Sequence, residues 1–73
     1  MIRPQTETVN NKVAHLRQGR SLTQEELATL VGVSRQTILS IEKGNHIPSV
    51  LLAIKLAKVF KKSVEEVFKI KLY

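Results

Sequence analysis

Ser34, Arg35, Gln36 and Ser40 are four hydrogen-bonding side chains whose spacing keeps them clear of the face that would carry Ile38 and Ile41 on a helix. Arginine can donate two parallel hydrogen bonds to guanine, and glutamine can both donate to and accept from adenine. The set therefore suits base edges in a nucleic-acid groove. Thr37 in the same first turn, Lys43 at the helix end, and Asn45 with His46 in the loop beyond are placed to meet backbone phosphates. Other chemistries are poorly supplied. Two histidines, no cysteine and no aspartate leave few acid–base or metal-ligating arrangements. The glutamate pairs 25–26 and 65–66 fall in first helical turns, where capping accounts for them. With three glycines there is no glycine-rich phosphate loop. No catalytic residue, metal site, cofactor or enzymatic activity is expected.

Those side chains need a rigid helix to present them. Thr23 and Glu26 form the T-x-x-E pattern of a capping box, which predicts a helix from Gln24. Leu27, Ala28, Leu30 and Val31 follow at helical spacing, and Gly32 ends the run. Val33 fills the corner, and Ser34 is a good N-cap for a second helix with Ile38 and Ile41 as its buried stripe. Gly44 ends that helix. Two short amphipathic helices joined by a turn of about three to four residues make a helix-turn-helix, with residues 34–43 as the helix that enters the major groove of DNA.

The rest of the chain reads as helices around this motif. Asn10 or Asn11 caps a first helix that carries Val13, Ala14 and Leu16 and ends near Gly19. Leu22 is expected to be buried. Residues 45–48 form a loop, because the residue before a proline avoids helix. Ser49 caps a fourth helix, 50–60, with Leu52, Ala53, Leu56, Ala57 and Phe60 inward, and Ser63 with Glu66 caps a fifth, 64–68. The expected architecture is all-α, a compact five-helix single domain over 1–73 with its core at 11–68. The closing F-K-I-K-L-Y alternates apolar and basic residues, which predicts a short strand.

Composition agrees. Twelve Lys and Arg against six Glu give a formal charge of +6, which favours a polyanionic partner. No apolar run reaches the roughly 18 residues that span a membrane, and M-I-R-P-Q-T-E-T-V-N-N has no signal-peptide core. No membrane association and a cytoplasmic location are expected.

From Asn11 to Phe68 the chain resembles the Cro/CI-type repressor family of helix-turn-helix proteins, the XRE family. The segments that carry the resemblance are L-T-Q-E-E-L-A at 22–28, V-G-V-S-R-Q-T-I at 31–38, I-E-K-G at 41–44, P-S at 48–49 and V-E-E-V-F at 64–68. The resemblance implies a DNA-binding transcriptional regulator, a homodimeric repressor on double-stranded DNA. It implies that Gln24 contacts a phosphate, and that Arg17 of the first helix forms a structural ion pair with Glu42. A protein-interaction module of antitoxin type, whose main partner is a toxin or modulator, is the alternative. Two features depart from the family pattern. Leu51 and Ile54 are apolar where outward polar residues are expected, and the 69–73 tail is strand-like. A lone exposed strand would be unstable. Leu51, Ile54, Val64, Phe68, Ile70 and Leu72 are therefore expected to form a dimer interface, with the tail paired to its copy across a twofold axis.

Overall fold

The computed structural model describes residues 7–72; residues 1–6, Tyr73 and the side chains of Glu7 and Leu72 lie outside the described residues. The chain runs β1 (Glu7–Asn11), α1 (Val13–Gly19), α2 (Gln24–Val31), α3 (Arg35–Glu42), α4 (Val50–Phe60), α5 (Val64–Val67) and β2 (Phe68–Leu72). The five helices enclose one core of Val13, Leu27, Val31, Ile38, Ile41, Leu56, Phe60 and Val67, each no more than 2% exposed. No polar or charged residue is buried among the described residues.

Local chemistry explains most helix boundaries. Thr23 and Ser63 each open a helix with a complete capping box. The hydroxyls of Ser34 and Ser49 accept from the backbone N–H three residues on. The first helix starts differently. Asn11 Oδ1 accepts from Val13 N at 3.1 Å, while Lys12 holds the formal cap position without a side-chain bond. Four helices end alike, in paired hydrogen bonds that turn the chain through a left-handed residue. At Gly44, its own N–H reaches Ile41 O at 3.0 Å and that of Asn45 reaches Ser40 O at 2.9 Å. Gly32 does the same for α2. α1 ends at Gly19, as the sequence suggests, with Ser21 (φ 56°) as its left-handed residue, and Lys61 (φ 55°) plays that part after α4.

The five expected helices are present, and a small two-stranded antiparallel sheet adds to the all-α architecture. The tail does form a strand. Its partner, however, is β1 of its own chain, with Val9 opposite Ile70 and Asn11 opposite Phe68. The need for a partner strand is met within the molecule, so pairing to a second copy is not required to satisfy the tail. Lys12 N donates to Val67 O at 2.9 Å where the sheet meets α5. Val64 and Phe68 are likewise drawn inward and pack on the core, rather than forming a free apolar face.

Core truncation tests the helix phasing. Ile38→Ala and Leu56→Ala should each lower stability by about 2–5 kcal/mol, read as loss of melting temperature in circular dichroism. An unchanged melt for either would contradict the inward stripes of α3 and α4.

Candidate nucleic-acid interface

The geometry of α3 follows from its two buried positions. Ile38 and Ile41 are fully buried, so at 100° per residue the opposite side is centred on Arg35, Leu39 and Lys43 in one row and Gln36 and Ser40 in the next. Arg35, Gln36 and Lys43 are exposed, and none of their side chains bonds another described residue. Ser40 is half-buried and lies on the same side. Leu39, also half-buried, sits in the middle of this face. Sequence reasoning missed it, because an apolar residue beside two buried isoleucines draws no notice as a contact. The 100° arithmetic alone places it between Arg35 and Lys43.

Ser34 and Thr37 are partly engaged. Ser34 Oγ accepts from Thr37 N at 3.2 Å and lies 3.1 Å from Thr37 Oγ1. Both hydroxyls fix the start of α3, and the one facing outward retains a free bonding position. Asn45 is exposed and stands just past the left-handed Gly44, which aims the 43–46 loop beyond the helix end.

A network behind α3 holds its orientation. Arg17 Nε donates to Glu42 Oε2 at 2.6 Å and Nη2 to Oε1 at 3.4 Å. Arg17 Nη1 also donates to Leu22 O at 2.8 Å. Gln24 Nε2 donates to Glu42 Oε1 at 3.0 Å. The two charged side chains are only 12% and 8% exposed. Gln24 is thus tied to the end of α3, with its amide oxygen left over. Asn11 adds a link that the sequence did not suggest, donating from Nδ2 to Ile41 O at 2.8 Å. α1, the start of α2, the end of α3 and the strand β1 therefore converge on one turn of backbone.

Of the six residues expected in a dimer interface, Leu51 (64% exposed), Ile54 (41%) and Ile70 (72%) are open to solvent. Ile47 and Val50, at 65% and 76%, extend the patch around the start of α4. Val50, Leu51 and Ile54 are spaced to share one face of that helix. Among the described residues no helix is long and apolar enough to cross a membrane.

The ion pair can be tested alone. Glu42→Ala leaves the largely buried guanidinium of Arg17 unpaired and should cost about 3–5 kcal/mol in urea unfolding. Arg17→Met combined with Glu42→Leu should cost clearly less. A double variant as unstable as the single would show that charge balance is not what joins these helices.

Comparison with known proteins gives the same picture. The model of the helix-turn-helix family matches residues 13–67. An uncharacterised HTH-type transcriptional regulator of Bacillus subtilis, YgzD, is 48% identical over 60 residues, covering 82% of this chain and 91% of that protein. The transcriptional repressor RstR of the cryptic phage CTXphi of Vibrio cholerae is 41% identical over 51 residues, 70% of this chain and 46% of RstR. Among solved structures, the restriction-modification controller protein C.AhdI of Aeromonas hydrophila superposes with a TM-score of 0.70 at 31% identity, covering 75% of this chain and 83% of that one. With its capped α2–turn–α3 unit, its outward polar row and a family match over most of its length, the chain belongs to the Cro/CI-type, or XRE, family of helix-turn-helix transcriptional regulators.

Proposed function

We propose that this protein binds a specific double-stranded DNA site as a homodimer and represses transcription, with α3 lying in the major groove. The observation that carries the reading is the outward row of α3, free of internal bonds at Arg35, Gln36 and Lys43 and braced from behind by Arg17, Gln24 and Glu42. An α-helix is about 10–12 Å across with its side chains and fits a groove about 12 Å wide. Arg35 and Gln36 read base edges, with Ser34 and Ser40 beside them. Leu39 meets an apolar group, for which a thymine methyl is the available candidate. Lys43, Asn45, Thr37 and the remaining amide N–H of Gln24 face the backbone side, where phosphate contacts supply affinity and fix register. Repression is the regulatory sense that the named role of RstR supports.

Dimerisation follows from arithmetic and from one exposed patch. A single recognition helix reads only a few base pairs. A twofold dimer doubles the contact set and spaces half-sites by about 34 Å. The apolar patch of Ile47, Val50, Leu51 and Ile54 adjoins the loop that leaves α3 and is the surface through which the two copies meet.

Two measurements test the proposal, both on a site selected from random DNA. Gln36→Ala should weaken binding by about 1–3 kcal/mol and relax preference at one or two base pairs, whereas Lys43→Ala should weaken all sequences alike and flatten the salt dependence. Unchanged affinity and preference in Gln36→Ala would remove α3 from the reading role. Leu51→Lys should sediment as a monomer at micromolar concentration and bind the site more weakly. A variant that sediments like the unaltered chain would exclude the α4 patch as the interface.

A further inference from the structure

A second concentration of positive charge lies away from α3. Lys12 just before α1, Lys62 between α4 and α5, and Lys69 on β2 line one cleft of about 350 Å³, together with His15, Leu16 and Glu66. His15 lies about 200° around α1 from Arg17, so this cleft opens on the side of the helix opposite the ion pair that braces α3. The three lysines are exposed, and none of their side chains makes a hydrogen bond or close ion pair among the described residues. The single carboxylate, Glu66, is already engaged. It accepts from Ser63 N at 2.8 Å in the capping box of α5. Hydrogen bonds from the Ser63 backbone and hydroxyl hold its carboxyl below the usual range, and Lys62 and Lys69 lower it further. Three ammonium groups against one carboxylate leave the cleft with a surplus of two positive charges. An adjoining hollow of about 440 Å³ shares His15, Leu16 and Lys62 and adds Arg20, which donates to Phe60 O at 3.2 Å.

Residues far apart in sequence are thus gathered by α1, the α4–α5 turn and the sheet into one concave, basic surface, and the DNA-reading face leaves it unexplained. Like charges held close repel unless an anion answers them. Lysine ammoniums act as point charges that suit phosphate oxygens. We infer that this cleft is a binding site for a multivalent phosphate group, presented either by a free phosphorylated molecule or by the backbone of a nucleic acid other than the duplex on α3. The inference stands independently of operator binding.

Titration of the full chain with inorganic pyrophosphate, followed by backbone amide shifts in nuclear magnetic resonance, tests the assignment. Saturable shifts should centre on Lys12, His15, Lys62 and Lys69. Lys62→Gln with Lys69→Gln should weaken binding about fivefold or more, the scale of two lost exposed ionic contacts. Lys55→Gln with Lys58→Gln removes the same charge from exposed positions on α4 and should leave the affinity within about twofold. Both pairs are exposed, and the spectra themselves report folding. A parallel titration with a short oligothymidylate separates the sources. Saturation of the cleft at lower oligonucleotide than pyrophosphate concentration points to a nucleic-acid backbone, and the reverse order points to a free phosphorylated molecule. Shifts scattered over all lysines, no saturation, or equal weakening in the two paired variants would overturn the site.

Discussion

The fold turns on one guanidinium. Arg17 bonds Glu42 through two nitrogens and the carbonyl of Leu22 through the third, while Gln24 holds the other side of the same carboxylate. Those contacts join α1, the linker, the start of α2 and the end of α3. A largely buried ion pair adds little net stability by itself, since desolvation offsets attraction. Its value here is directional. A bidentate, planar contact admits one relative placement of the two partners. Hydrophobic burial of Ile38 and Ile41 sets how far α3 is rolled, and the Glu42 carboxylate sets where its last turn sits. Asn11 reinforces that point through the carbonyl of Ile41, so the small sheet also bears on α3.

The proposed reading face is built largely from what is left over. Caps take the hydroxyls of Ser34 and Thr37, the core takes Ile38 and Ile41, and the ion pair takes Glu42. Arg35, Gln36 and Lys43 remain, with Leu39 among them, on a helix whose start and end are both fixed. Preorganisation of this kind lowers the conformational cost of forming contacts with a partner. The surplus positive charge of the chain is not concentrated there. Much of it lies on α4, in the basic cleft beside α1 and on β2.

Much of this was legible in the sequence because hydroxyl caps, capping boxes and apolar stripes are local signals. Thr23, Ser34, Ser49 and Ser63 open the helices they were expected to open, and the stripe of α4 is buried as its spacing implied. The strand β1 was not legible. Val9 is the only aliphatic residue in E-T-V-N-N, so no alternation reveals it, and it forms because β2 and α5 provide a template far along the chain. The ends of α1 and α4 fall where the sequence places them, but the left-handed residues just beyond them carry no local signal. Ser21 and Lys61 adopt left-handed backbone that favours glycine, and their tertiary surroundings override that preference. Leu39 was overlooked because its type suggests core, while only its angular position assigns it to the surface that faces outward.

The central claim is that α3 reads the major groove twice, once in each half of a twofold complex. Guanine N7 lies in that groove, so protection of N7 from dimethyl sulfate on a selected site is the most direct probe. The account predicts protected guanines in two clusters separated by about one helical turn, roughly 10 base pairs. Full binding with every guanine N7 still reactive would contradict it.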